Sequence, residues 1–237
     1  LDPVGALRHT QQERRPDPVA VAAYAQVAGA AGIAASLGAE GSRLTERDLR
    51  ILRDTVHTRL LLNIPAVPEL LGLAMDLRPD LCVISAMTVS SRMAGGGIDL
   101  MVHHKEMEES LKALQSNGIR TLIFIDAAPE QVKLALQAGA DGVVLNAGEY
   151  SRAVQNGHSP EQIEAPLGQL IDGIKLAHRL KLSPWVTGGL GYDNLAPIAR
   201  FSEIRHLIIG HSITAQALFV GYQKAVERMA AIANHGD

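Results

Sequence analysis

Short apolar runs alternate along the chain with longer amphipathic segments. Seven runs have the length and composition of buried strands, at residues 32–37, 59–65, 81–86, 121–127, 142–147, 184–189 and 206–211. The opening segment LDPVGA reads as the tail of one more strand. The pattern therefore predicts eight strands separated by helices.

The amphipathic segments carry helix start and stop signals. Thr45 is a suitable N-cap, and Asp48 three positions later completes a pattern that resembles a capping box. Pro68 falls where the first turn of a helix is expected, and Asn117-Gly118 is a fitting helix end. Further helices are predicted over residues 160–180, 193–201 and 212–233.

Regular alternation of strand and helix indicates right-handed crossovers and a parallel sheet. Eight such units within 237 residues predict a single-domain α/β protein, a (β/α)₈ TIM barrel over residues 1–237 whose first strand is truncated at the N-terminus. The alternative is a doubly wound open sheet. A nucleotide-binding sheet of that kind favours a glycine-rich motif after the first strand. Here the glycines cluster after the last two runs, which favours the barrel.

Those glycines also predict a phosphate site. In such barrels the loops after the last two strands bind phosphate through backbone N–H groups and a helix N-terminus. The segments VTGGLGYDN and IIGHSI supply the candidate residues Gly189, Leu190, Gly210, His211 and Ser212. The alternative is that the glycines only form tight turns and that His211 is an ordinary loop residue.

Composition and charge exclude several classes of function. Hydrophobic residues make up 47% and charged residues 20%, with a net charge of -3, so neither a nucleic acid nor a membrane surface is an expected partner. No apolar run is long enough to span a membrane, and no signal peptide opens the chain. Cys82 is the lone cysteine, and no Cys/His group has zinc-site spacing. We expect a cytoplasmic protein.

A colinear series of motifs resembles the pyridoxine 5′-phosphate synthase family. The series comprises LDPVGALRHTQQERRPDPV, RLTERDLRILRDTVHTRLLLNI, GGGID, LIFIDA, GLGYDN and IIGH, and it covers nearly the whole chain. The resemblance implies a (β/α)₈ barrel that condenses 1-deoxy-D-xylulose 5-phosphate with an amino-ketone phosphate. It also implies a small phosphorylated metabolite as ligand, no metal or other cofactor, and a homo-oligomer built from dimers or octamers.

At several family positions the residue type differs. The family's catalytic Glu falls on Asn63, its Glu and His of the sixth strand fall on Val144 and Asn146, and Gly188 stands where the family has His. The His after the second strand reads Ser36. An amide takes up no proton at neutral pH, and each lost acid–base group costs about 10²- to 10⁴-fold in rate. These differences predict altered chemistry.

The remaining polar residues expected at the barrel mouth are candidates for that chemistry. Glu149, Asp126, Asn63 and His211 are weak catalytic candidates, and a structural role is the alternative reading of Asp126. The expected substrate pocket comprises Asp2, Arg8, Ser36, Arg43, Asn63, Asn146, Tyr150 and Thr187. No lysine ends a strand, which disfavours a Schiff-base aldolase. Residues 87–99 are either a glycine-hinged lid or an ordinary connection.

Three functions remain open from the sequence, and the balance leans towards an enzyme. The first is a divergent family member that acts on a different phosphorylated substrate. The second is a genuine pyridoxine 5′-phosphate synthase in vitamin B6 biosynthesis. The third is a non-catalytic metabolite-binding or regulatory paralogue.

Overall fold

A computed structural model describes residues 1–10, 15–38, 43–86 and 96–235. Within these ranges seven parallel strands form one curled sheet in which each strand pairs with the next along the chain. The strands are β1 (Ile33–Ser36), β2 (Leu60–Pro65), β3 (Leu81–Ser85), β4 (Arg120–Asp126), β5 (Gly142–Asn146), β6 (Ser183–Thr187) and β7 (His206–Leu207). The parallel α/β fold predicted from the alternating pattern is confirmed.

Helices connect and flank the strands. In the described ranges they are α1 (Asp2–Thr10), α2 (Pro18–Val27), α3 (Glu46–Thr55), α4 (Pro68–Leu77), α5 (Leu100–Ser116), α6 (Pro129–Gln137), α7 (Gly148–Gln155), α8 (Pro160–Arg179), α9 (Ala196–Ala199), α10 (His211–Val220) and α11 (Tyr222–His235). None of these helices combines the length and the apolar character needed to cross a bilayer.

Successive residues of each strand point to opposite faces of the sheet, and both faces are apolar. The face towards the helices packs into one large core that includes Leu62, Ile84 and Ile123. The concave face holds a second cluster of buried side chains: Leu61, Leu81, Val83, Leu122, Val144 and Trp185. Burial on both faces explains why the strands read as continuous apolar runs.

The predicted helix signals are confirmed. Thr45 caps α3, accepting the backbone N–H of Asp48, whose side chain in turn accepts the backbone N–H of Thr45. Pro68 opens α4 at its first turn, and α5 ends at Ser116, directly before Asn117-Gly118. Each of these ends is fixed by local sequence, which is why they were predictable.

Several elements differ from the sequence prediction. The last strand covers only His206–Leu207 of the predicted residues 206–211, and the predicted helix 193–201 covers only Ala196–Ala199. Residues 1–6 are not the tail of a strand, because Asp2–Thr10 form a helix. This helix end bonds to β1 through the amino group of Leu1, which donates to the Ala34 carbonyl, and through the Asp2 carboxylate, which accepts from Ser36. The predicted helix 212–233 is two helices, because Gly221 adopts φ +80 between them. The eighth strand of a closed barrel stays a prediction.

The predicted lid at residues 87–99 falls largely outside the described residues. Of its last four positions, Ile98 bonds through its backbone N–H to the Phe124 carbonyl, and Asp99 caps α5 by accepting the backbone N–H of Met101. These contacts anchor the end of the segment beside β4.

Candidate functional site

A ring of polar side chains lies at the carboxyl ends of the strands. On the concave face each polar residue follows an apolar one by two positions, so the strand period places both on the same side. The ring consists of Ser36, Asn63, Ser85, Asp126, Asn146 and Thr187. The carboxyl end of a parallel sheet is where ligands bind in folds of this kind.

One side of the ring is a hydrogen-bonded chain from Asp2 to Asn63. The carboxylate of Asp2 accepts the backbone N–H of Ser36 at 2.8 Å and also its hydroxyl. The Ser36 oxygen in turn accepts the Asn63 amide Nδ2 at 3.1 Å. The structure thus brings these three predicted pocket residues together.

The opposite side of the ring is organised by Asp126. Its Oδ1 accepts the Asn146 amide Nδ2 at 2.8 Å and the Gly97 backbone N–H at 3.2 Å. The Asn146 Oδ1 accepts the Gly148 backbone N–H at 2.9 Å, at the start of α7. This carboxylate orients its neighbours, which supports the structural alternative considered for Asp126.

Two other predicted pocket residues are engaged in bonds that hold the scaffold. Thr187 donates its hydroxyl to the Ile208 carbonyl at 2.9 Å and so extends the contact between β6 and the β7 segment. Tyr150 is buried and donates to the Asn194 carbonyl at 2.8 Å. Burial raises the pKa of the Tyr150 phenol above its ordinary value. Tyr150 is therefore a structural residue of the loop after β6.

The two predicted phosphate loops are in direct contact. Ser212 in the first turn of α10 donates its hydroxyl to the Leu190 carbonyl at 2.7 Å. A Cβ added at Gly191 would lie 2.6 Å from the Ser212 oxygen, so the loop after β6 packs closely on α10. Asn194 holds that loop by accepting the Gly191 backbone N–H at 2.7 Å and donating to the Gly189 carbonyl at 3.1 Å.

The start of α10 supplies hydrogen-bond donors at this rim. Helix geometry leaves the N–H groups of the first turn, beginning at His211, without partners inside the helix. The helix dipole adds partial positive charge at the same end. His211 is exposed and Gly210 precedes it as the N-cap residue. The arrangement favours an anion at the rim.

A cavity of about 740 Å³ opens beside this rim. Its lining includes Asp2 and the rim residues Gly189, Gly210 and His211, and it continues to Trp185 and His206 at the other end of the sheet. The cavity lies between β1 and β7, which do not pair with each other among the described residues. Its size suits a small metabolite.

Of the two predicted pocket arginines, Arg8 is engaged away from the ring. Arg8 forms a two-pronged ion pair with Asp48, at 2.9 Å and 2.6 Å, and joins α1 to α3. The bonds from Arg8 and Thr45 lower the pKa of Asp48 to about 2 against the opposing effect of its burial. Arg43 has an exposed side chain. The guanidinium of Arg8 is engaged by Asp48, and its place in the substrate pocket stays a prediction.

Few side chains near the polar ring could act as a general base. Glu149 is exposed in the first turn of α7 and lines a small side cavity of about 160 Å³ together with Asp126 and Asn146. Within the described ranges no group of three or more His, Cys, Asp or Glu side chains could hold a metal ion. What the ring offers is hydrogen bonding by amides and hydroxyls.

Two features of the polar ring were not predicted from the sequence: the contact of Asp2 with Ser36 and the unpaired hydroxyl of Ser85. Asp2 acts through Ser36, a contact between residues 34 positions apart that no local motif encodes. Ser85 is not among the predicted pocket residues, although its buried hydroxyl has no hydrogen-bond partner among the described residues. The serine that ends an apolar run was the available signal.

Comparison with known proteins gives a consistent family. Residues 1–235 match the family described as pyridoxal phosphate biosynthesis protein PdxJ. Among curated proteins, pyridoxine 5′-phosphate synthase of Geobacter sp. (strain M21) is 34% identical over 235 residues, covering 99% of this chain and 97% of that protein. The enzyme of the same description from Thermosynechococcus vestitus is 36% identical over 232 residues, covering 98% and 96%.

Solved structures similar to this chain share the fold at low identity. Thiamine phosphate pyrophosphorylase from Pyrococcus furiosus aligns with a TM-score of 0.60 at 14% identity, covering 94% of this chain and 92% of that one. KGPDC from Streptococcus mutans aligns with a TM-score of 0.60 at 14% identity, covering 90% of each chain. The full-length family match, together with relatives above 30% identity, shows that the chain belongs to the PdxJ family of pyridoxal phosphate biosynthesis proteins.

Proposed function

We propose that this chain binds a small phosphorylated metabolite at the rim formed by the loop after β6 and the N-terminus of α10. We propose further that it is an enzyme with a role in vitamin B6 biosynthesis, and that its chemistry differs from the family's ring closure. The observation that carries the binding proposal is the Ser212–Leu190 hydrogen bond, which joins the two loops that the sequence marks for phosphate.

The altered chemistry is inferred from the residues of the polar ring. Proton transfer needs groups that gain and lose a proton near neutral pH. Asn63 and Asn146 are amides, and Asp126 is bonded to an amide and to a backbone N–H. Each missing acid–base group lowers a rate by about 10²- to 10⁴-fold. A ring of this composition suits binding and orientation of the ligand more than repeated proton transfer.

A second candidate is an active pyridoxine 5′-phosphate synthase. The observation in its favour is the match over 99% of this chain to a protein of that description. An assay of the purified chain with 1-deoxy-D-xylulose 5-phosphate and the amino-ketone phosphate separates the two candidates. Turnover comparable to that of the Geobacter relative would favour the second candidate, and turnover lower by several orders of magnitude would favour the first.

The binding proposal is tested by placing a fixed negative charge at the rim. His211→Asp puts a carboxylate into the first turn of α10, where it stabilises the helix and repels a bound anion. Gln223→Asp adds the same charge in the first turn of α11, at an exposed residue that does not line the 740 Å³ cavity, and serves as the control. We expect calorimetric titration to show a phosphate ester binding to the wild type and to the control, and at least about tenfold more weakly to His211→Asp. Absent binding, or equal binding by all three, would exclude the proposed site.

We also propose a homo-oligomer. Leu218 and Phe219 near the end of α10 are 75% and 85% exposed, which is unusual for large apolar side chains that neighbour each other. Burial of this pair against another subunit would remove it from water.

A further inference from the structure

Basic side chains gather at the amino end of the sheet, opposite the phosphate rim. Arg59 and Arg120 each lie two positions before a leucine of the concave-face cluster, so the strand period places both arginines on the concave face. His206 lies on the same face, because it pairs in register with Trp185 of that cluster. A basic layer therefore borders the apolar cluster at this end.

Contacts between distant parts of the chain bring these groups together. The Arg59 Nη1 lies 2.7 Å from the His206 Nε2, although the two residues are 147 positions apart. Arg205 lines the same stretch of the large cavity as both of them. The His206 ring packs on Trp185 with ring centroids 4.3 Å apart. Arg59 thus reaches from the start of β2 to the start of β7.

The cluster presents hydrogen-bond donors. A guanidinium only donates, so the His206 Nε2 accepts from Arg59 and the ring proton lies on Nδ1, where it is a further donor. Among the described residues, Arg59, Arg120 and Arg205 form no ion pair with a carboxylate. Burial, and after it the positive charges of these three arginines, lower the pKa of His206 to about 4.

The two aspartates at the same end of the sheet point away from this cluster. Asp80 and Asp141 directly precede concave-face positions of β3 and β5, so strand alternation turns their side chains to the opposite face. Asp80 accepts the Leu60 backbone N–H at 2.8 Å, and Asp141 accepts the Thr121 backbone N–H at 2.7 Å. These carboxylates therefore hold the strand starts and do not neutralise the arginines.

We propose that Arg59, Arg120, Arg205 and His206 bind a small anion of the polyphosphate class, with two or more linked phosphate groups, at the amino end of the sheet. Guanidinium groups suit phosphate oxygens because they donate parallel, charge-assisted hydrogen bonds. The arginines come from three separate places on the sheet, so an anion with several charged oxygens spaced apart contacts more of them than one carboxylate does. This site is distinct from the phosphate rim, and the inference does not rest on the proposed function.

Inorganic pyrophosphate is the probe, titrated by calorimetry at constant ionic strength so that screening stays the same. Trp185 is the only tryptophan of the chain and contacts His206, so its fluorescence reports on this end of the sheet. We expect saturable binding by the wild type with a change in tryptophan fluorescence. Acetate, with a single carboxylate, should bind at least about tenfold more weakly.

Two variants each remove one charge from the cluster. Arg59→Gln and Arg120→Gln change exposed side chains, so the variants should fold, with melting temperatures like that of the wild type, and bind pyrophosphate about tenfold more weakly. Arg179→Gln is the matched control, because it removes the same charge from an exposed arginine at the end of α8 that lines a different cavity. His211→Asp at the phosphate rim should also leave pyrophosphate binding unchanged.

The outcomes separate this site from the phosphate rim. Equal affinity of the wild type, Arg59→Gln and Arg120→Gln for pyrophosphate would overturn the proposal, and so would absent binding or unaltered Trp185 fluorescence. Loss of pyrophosphate binding in His211→Asp would place the anion at the rim and overturn it too. A failure of phosphate esters to bind at the rim would leave the site at the amino end standing.

Discussion

Gly188 shows at the scale of one residue how the loop after β6 reaches the ring. Its backbone adopts φ +107, and an added Cβ would lie 2.5 Å from the Asn146 Oδ1 and 3.0 Å from the Gly148 nitrogen. Only glycine combines that φ with that close approach. The family resemblance placed a histidine at this position, so the loss of the side chain coincides with a loop packed directly on Asn146.

Gly188→Ala should therefore destabilise the protein and weaken ligand binding together. We expect a loss of about 1–3 kcal/mol in the free energy of unfolding, measured by chemical denaturation. Gly157→Ala is the matched control, because Gly157 also has a positive φ, +65, but nothing lies within 4 Å of its added Cβ. Equal losses in the two variants would show that backbone strain alone, and not the contact with Asn146, explains the effect.

His206, at the start of β7, should make the folding stability depend on pH. Burial, and after it the positive charges of Arg59, Arg205 and Arg120, together lower its pKa to about 4 from the ordinary 6.5. Its ring packs on Trp185 with centroids 4.3 Å apart, and the Arg59 Nη1 lies 2.7 Å from its Nε2. Below pH 6.5 His206 is protonated in the unfolded chain, whereas in the folded chain it is protonated only below about pH 4.

Stability should therefore fall as the pH drops through that window. We expect the melting temperature of the wild type to decrease by several degrees more than that of His206→Gln between pH 6.5 and pH 4. His158→Gln, at an exposed histidine, should follow the wild type. Identical pH profiles of wild type and His206→Gln would contradict the assignment. Asp48, with a pKa lowered from 3.8 to about 2, also begins to lose stabilisation near pH 4, but this loss is common to wild type and variant and cancels in the comparison.

At the scale of elements, strands and long helices were predictable and short irregular ones were not. Continuous apolar runs identify β2 to β6 because the sheet is buried on both faces. By contrast, α1 contains Pro3, Val4 and Gly5, which are poor helix formers, and it is held by the bonds of Asp2 to Ser36 and of Arg8 to Asp48. Such tertiary contacts leave no periodic pattern in the sequence.

Within the site, too, features that have a local sequence signal were predictable, and features that depend on long-range contacts were not. The phosphate loops are marked by glycines and a helix start, which are local signals. The direction of the Asn63 amide depends on Asp2, 61 positions earlier in the chain, through Ser36. Arg8 was placed in the substrate pocket on the family resemblance, and its pairing with Asp48, 40 positions later, leaves no local signal in the sequence.

The contact between α10 and the loop after β6 gives a prediction at this scale. Ser212→Ala removes the bond to the Leu190 carbonyl and should cost about 0.5–1.5 kcal/mol of stability. It should also weaken phosphate-ester binding severalfold, because the two loops are no longer joined. Ser116→Ala removes the bond of an exposed serine at the end of α5 to the Lys112 carbonyl, and should leave binding unchanged. Unaltered binding by Ser212→Ala would show that the loops do not act together.

For the whole molecule, the exposed apolar pair on α10 predicts assembly. The double substitution Leu218→Ser with Phe219→Ser should lower the mass measured by light scattering, because it removes apolar surface from the proposed contact. Lys224→Ser, at an exposed polar residue of α11, should leave the mass unchanged. A monomeric wild type, or a mass unaffected by the double substitution, would contradict the oligomer.

A crystal structure of the protein with a bound phosphate ester would show directly where on this fold the anion binds. We expect phosphate density at the first turn of α10, within hydrogen-bond distance of its backbone N–H groups and beside the loop at Leu190. Phosphate bound elsewhere on the molecule, with this rim empty, would contradict it.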